Sequence, residues 1–224
     1  IGVDGSGSGM ILVDELSLYR TAPSLITASY SLENNTNDTT GNGHDGVAVG
    51  DPVYVTGADG MGMLFDGTGN QHVSLGTFNP SDGTGQLSVS LWAKWQGLTS
   101  FYQGLIGKRD GWATDDMMWH IEADLADGAI KFQQTAGGVF PGQALPIDEW
   151  THVGVSFNGV TAQVYISGVE VGSGGFAFGT DTAAAIQFGA VDGNGGNPFN
   201  GALDEIKIYN RALSQGEMEA LAGL

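Results

Sequence analysis

The chain has no cysteine, so neither a disulfide nor a thiolate metal site is available to it. Basic residues are scarce. Seven lysines and arginines stand against 25 aspartates and glutamates, a formal net charge of −18. A surface of that sign disfavours DNA, RNA and anionic membranes, and it suits secreted, saline or calcium-bearing surroundings. No apolar run approaches the roughly 20 residues that a helix needs to span a bilayer. Helix-period spacing is nearly missing before the last dozen residues. The four histidines, His44, His72, His120 and His152, are dispersed without ligand spacing, so zinc and redox metals are not suggested.

Glycine is plentiful, at 38 residues, and Gly, Asn, Asp and Thr punctuate short runs of alternating apolar residues. That pattern predicts an all-β sandwich or barrel. Strands are expected at 25–33, 87–95, 105–108 and 186–191. Hairpins are expected over 63–75, over 117–123 with 129–135 around Asp127-Gly128, and over 150–157 with 163–167 around Asn158-Gly159. The 34–46 segment is polar and turn-rich, with N-glycosylation sequons at Asn34 and Asn37.

The organising stretch is 201–213. Ile206 and Ile208 alternate with Glu205 and Lys207, which predicts a half-buried strand. Ser214 and Glu217 then form a capping box, with Leu213 and Met218 as a hydrophobic staple, so one short helix should run from 214 to 222 and stop near Gly223. Asp204 shares the parity of Ile206 and should point inward, where a lone carboxylate needs a partner or a metal. This stretch has an echo, since Val13–Tyr19 aligns with Leu203–Tyr209 at Asp, Glu and Tyr. Two readings stand: two ordinary edge strands, or residues 1–24 as the last strand of a preceding β-domain plus a linker, leaving one domain at 25–224. The second reading makes the chain a piece of a modular protein.

Five segments, in order, resemble the concanavalin A-like, laminin-G-like jelly rolls of secreted bacterial multidomain proteins. They are Tyr30–Glu33 with Asp38–Gly46, Leu64–Leu75, Leu87–Trp92, Glu149–Gly159 and Gly201–Ser214. The resemblance implies a two-sheet antiparallel jelly-roll sandwich with one short C-terminal helix. It also implies a carbohydrate-binding or adhesion module, extracellular or at the cell surface, with neighbouring domains as partners. Many relatives hold one structural calcium. Carried over, Asp204 supplies a carboxylate, and backbone carbonyls of Glu33–Asn35 and of the Asp66–Asn70 hairpin complete the set, so the expected metal residues are Glu33, Asp66, Asn70 and Asp204. Calcium's preference for six to eight oxygens agrees. The alternative is that Asp204 only accepts backbone N–H groups in a turn. The resemblance also makes Trp92 and Trp150 core tryptophans, beside the core candidates Phe65, Phe157 and Phe188, with His152 structural.

The remaining aromatics cluster. Phe101, Tyr102, Trp112 and Trp119 lie among Lys108, Arg109, Asp110, Asp115, Asp116, His120 and Glu122. Sugar rings stack on aromatic faces, and polar groups fix hydroxyls or carboxylates. In so acidic a chain, Lys108-Arg109 suits an acidic polysaccharide. The expected ligand-binding residues are therefore Lys108, Arg109, Trp112, Trp119, His120 and Glu122. The plainer alternative has the two tryptophans covering a sheet edge among solvated charges. For catalysis, Glu122 and Asp124 share a strand face, but the third carboxylate of the fold's hydrolases is missing. No Gly-x-Ser-x-Gly elbow or phosphate loop occurs. A polysaccharide hydrolase or lyase using Glu122, Asp124 or His120 is the runner-up, and a structural spacer the third reading.

Overall fold

The computed structural model describes residues 26–113, 117–192 and 195–224. The expected echo strand and linker at 1–24, and Asp115 and Asp116, lie outside the described residues. The described residues form fifteen strands and one helix. In chain order the strands are β1 Ile26–Tyr30, β2 Val47–Val49, β3 Val53–Thr56, β4 Met61–Asp66, β5 His72–Ser74, β6 Leu87–Trp95, β7 Gln103–Arg109 and β8 Met117–Ala123. They continue as β9 Ile130–Gln134, β10 Gly137–Val139, β11 Trp150–Phe157, β12 Thr161–Ile166, β13 Val169–Gly175, β14 Ile186–Phe188 and β15 Asn200–Tyr209, before α1 Gln215–Leu221.

Two antiparallel sheets stack face to face. One runs β13-β12-β11-β6-β15-β4-β3, with β1 paired to the far half of β15; the other runs β10-β9-β8-β7-β14-β5-β2. Alternation explains the core between them. Val89, Leu91, Ala93 and Trp95 of β6 face Ile121, Phe132, Ile106 and Phe188 of the second sheet, all buried. Phe65, Phe157 and Phe188 belong to this core as expected.

Trp92 and Trp150 do not. Both are half-buried on the outer face of the first sheet, and Trp92 meets His152 edge-on at 5.8 Å. The reason is parity: if Leu91 and Ala93 face inward, Trp92 faces outward. The core tryptophans are Trp95 and Trp119. His152 is buried and bonded to Ser90 Oγ at 2.9 Å, a structural histidine.

The organising strand pairs with three others. Its first half lies on β4, its second half on β1, and its other edge on β6. The register slips between Asp204 and Lys207, where Glu205 takes a left-handed φ of 48°. This bulge lets one strand serve two partners along a single edge. The helix begins at the Ser214 cap with the reciprocal Glu217 bond in place. It lays Met218 over Gly154, where a Cβ would come within 2.8 Å of the Met218 sulfur. Among the described residues no helix is long and apolar enough to cross a membrane.

Candidate functional site

The site is built on the outer face of the second sheet. In β8, Trp119, Ile121 and Ala123 point into the core, so His120 and Glu122 point out. In β9, Ile130 and Phe132 point in, so Lys131 and Gln133 point out. The register sets Glu122 opposite Lys131 and His120 opposite Gln133. On the other side His120 faces Gly107 of β7. A Cβ at Gly107 would lie 2.5 Å from that of His120, so only glycine leaves the imidazole room. Above this polar row stands a cleft of about 380 Å³ lined by Tyr102, Arg109, Trp112, Glu122, Lys131, Gln133 and Asn197.

Glu122 anchors the floor. Its carboxylate accepts from the Gln133 amide at 2.5 Å and the Asn197 amide at 2.9 Å, and lies 3.2 Å from His120 Nε2. Burial pushes its pKa up, but the contact with His120, the Asn197 bond and the Arg109 charge outweigh that and hold it below the ordinary value. Burial pushes His120 down, against the pull of Glu122, which leaves a neutral ring at neutral pH. Trp112 covers that ring edge-on at 5.8 Å and is itself 57% exposed.

Arg109 carries the site's reserve of donors. Its side chain is almost fully buried, and its Nη2 lies 3.7 Å from Asp192. Its Nε and Nη1 have no hydrogen-bond partner among the described residues. Burial pulls its pKa down, while Glu122 and Asp192 pull it up. The guanidinium sits 5.6 Å from the Trp112 ring centre. Opposite, Lys131 pairs with Asp124 and lies 5.2 Å from the Tyr102 ring centre.

The expected ligand residues therefore divide. Arg109, Trp112 and Glu122 line the cleft, and His120 lies directly beneath. Lys108 and Trp119 are corrected. Lys108 is fully buried; its ammonium donates to the carbonyls of Thr182 and Ala184, both at 2.8 Å, and meets Asp181 at 3.1 Å. It faces Trp119 across the β7–β8 ladder, on the side away from the cleft. Trp119 is wholly buried against Phe132. Adjacent strand residues point to opposite faces, so the basic pair could not act as a pair. Gln133 and Asn197 were missed. Outward parity in β9 could have found Gln133, whereas nothing local marks Asn197.

The expected metal residues also divide. Asp204 Oδ2 accepts the N–H groups of Ala58 and Asp59 at 2.8 and 3.0 Å, and Oδ1 that of Glu205 at 2.7 Å. Glu33 Oε1 accepts Met61 N–H at 3.0 Å in the same 57–61 turn. Asp66 closes β4 at its opposite end and Asn70 lies beyond it; Asp66 Oδ1 accepts the amide and hydroxyl of Thr68. The four cannot share one cation. Among the described residues no three acidic or imidazole groups gather as a metal site.

A general acid needs a raised pKa, yet Glu122 and Asp124 are both held low, Asp124 chiefly by its Lys131 bond. Exposed ring faces, an ionised acceptor and unspent guanidinium donors are the equipment of a sugar site.

Two stacked antiparallel sheets in this order make a jelly-roll sandwich, here with a polar, aromatic-rimmed cleft on one outer face. Residues 66–219 match the family model of the concanavalin A-like lectin/glucanases superfamily, and the chain belongs to that family. Among solved structures, the chain is similar to domain 4 of AbnA, a GH43 extracellular arabinanase of Geobacillus stearothermophilus determined with arabinotriose. Identity is 28% and the TM-score 0.72, over 88% of this chain and 98% of that one. The binding domain of Paraclostridial Mosquitocidal Protein 1 matches at 19% identity and TM-score 0.69, and the Trypanosoma rangeli sialidase at 16% and 0.64. These two likenesses concern the fold, and the chain spans only 51% and 32% of their lengths. Among curated proteins, no sequence relative matches.

Proposed function

We propose that the chain is a glycan-binding module whose ligand lies in the Arg109–Trp112–Glu122 cleft and carries a carboxylate. The observation that carries this is Arg109, with two buried nitrogens lacking hydrogen-bond partners among the described residues, beside the exposed Trp112 ring. A guanidinium in that state keeps N–H donors, on Nε and Nη1, that a uronate or sialate carboxylate can accept. Trp112 would stack on the sugar face, and Glu122 with Asn197 would take and give hydroxyl hydrogen bonds. The likeness to an arabinanase domain determined with arabinotriose supports the sugar-binding part of the reading.

The module would work outside the cell or at its surface, joined to other domains of a longer protein. In this reading, calcium is confined to the turn that Glu33 and Asp204 both touch, with turn carbonyls completing its shell.

The test is a glycan-array and affinity-gel screen of wild type and Trp112→Ala. Acidic glycans retained by wild type should be lost, by about tenfold or more in affinity, from a variant that folds normally. No retention on any glycan would overturn the proposal in favour of the spacer reading. Cleavage of a retained glycan would favour the enzyme.

A further inference from the structure

Four aromatic side chains are exposed among the described residues: Phe101, Tyr102, Trp112 and Phe140. All four line three neighbouring cavities. The central cleft holds Tyr102 and Trp112. Asn197 is common to it and to a second cavity of about 480 Å³, which holds Phe101 beside Thr68, Asn70 and glycine backbone. Lys131 is common to it and to a third cavity of about 170 Å³, which holds Phe140 beside Asp124 and Asp127. Rings set along a row of adjacent cavities suit successive residues of a chain, whereas a terminal sugar is served by one closed pocket.

The charges along the row differ. The centre offers the unpaired donors of Arg109. The third cavity presents two carboxylates, Asp124 paired with Lys131 and Asp127 accepting Ala129 N–H. An anionic sugar there would face like charge, while a neutral sugar could donate its hydroxyls. The second cavity has only neutral lining.

Resting on the glycan-binding reading, we infer that the row of cavities binds an internal stretch of a mixed polysaccharide, one acidic residue at Arg109 flanked by neutral residues on Phe101 and Phe140. The acidic residue is the anchor, and the neutral neighbours add affinity without adding charge.

The test uses the full chain on an array of neutral, all-uronate and mixed neutral–acidic oligosaccharides of graded length, followed by tryptophan-fluorescence titration. Mixed oligomers of three or more residues should bind at least about tenfold tighter than their acidic monosaccharide alone, the yield of two added ring stacks. Phe101→Ala and Phe140→Ala should each weaken the longer probe by about three- to tenfold and leave the monosaccharide unchanged. Both rings are exposed, so neither truncation removes core packing. Equal affinity for monosaccharide and oligomer would overturn the inference while leaving the central site intact. Preference for all-uronate chains would also overturn it. Failure of wild type to bind any glycan would instead fell the glycan-binding reading itself.

Discussion

Replacing Arg109 by methionine should abolish acidic-glycan binding and barely change the stability of the empty protein. The stability terms nearly cancel. The variant loses the attraction between Nη2 and Asp192 at 3.7 Å, and it loses the pull of Glu122 together with a burial cost that outweighs that pull. Such an ion pair is worth about 4 kcal/mol at an effective dielectric near 20. It also sheds two buried nitrogens that have no partner among the described residues, each costing about 1–3 kcal/mol. The sum lies within about 2 kcal/mol of zero, so the melting temperature should move by no more than about 8 °C in a chain of this length. Binding has no such compensation. Removing one member of a buried guanidinium–carboxylate pair costs about 2–5 kcal/mol, or about 30-fold to a few thousandfold in Kd. Arg109→Lys keeps the charge without the planar fork and should fall between. Calorimetric titration with an array-selected acidic glycan, beside thermal melts of the empty proteins, separates the two effects. Acidic-glycan affinity within about threefold of wild type would refute the assignment of the carboxylate to Arg109. Collapse of the empty variant would show the arginine to be a structural strut.

Two buried groups give opposing pH dependences. Burial, aided by the Lys207 charge, pushes His152 down to about 4. The unfolded state then binds more protons between about 4 and 6.5, so stability is lost as pH falls through that window, by about 3 kcal/mol. Burial pushes Asp204 up to about 6 despite its three backbone N–H bonds. Here the folded state binds more protons between about 4 and 6, so stability is lost as pH rises, again by about 3 kcal/mol. Urea unfolding in chelator should show that, relative to wild type, His152→Gln gains stability as pH drops from 6 to 4 and Asp204→Asn loses it; parallel profiles would contradict both assignments. A calcium ion at the 57–61 turn should raise the melting temperature over that in chelator, by the equivalent of about 2.7 kcal/mol at a hundredfold excess over its Kd. Glu33→Gln should erase that difference, and identical wild-type melts would remove Glu33 and Asp204 from any ion site.

Strand identity and the terminal helix were legible in the sequence because both are local. Period-two alternation marked β6, β8, β9, β11 and β15, and the Ser214–Glu217 reciprocity marked the helix start within four residues. The short edge strands β2 and β3 were not legible, since β2 is exposed throughout and β3 only half-buries Tyr54 and Val55. Alternation also held more than was drawn from it. It already placed Trp92 opposite Leu91 and Ala93, and Lys108 opposite Arg109. Composition and clustering put Arg109, Trp112, His120 and Glu122 in one neighbourhood, because β7 and β8 are adjacent in the chain.

The tertiary structure alone decided which of those groups share a cleft. Asn197 reaches Glu122 across 75 positions of sequence, and its loop arrives there only through the packing of the two sheets. The same packing sends Lys108 to the carbonyls of Thr182 and Ala184 and leaves Arg109 with unspent donors. It also holds Glu33 and Asp204 at one turn while β4, a rigid strand, keeps Asp66 and Asn70 at its far end. Local periodicity fixes the face on which a side chain stands. Which other side chains it meets there depends on pairings whose cost and reward are set by chain closure over long separations.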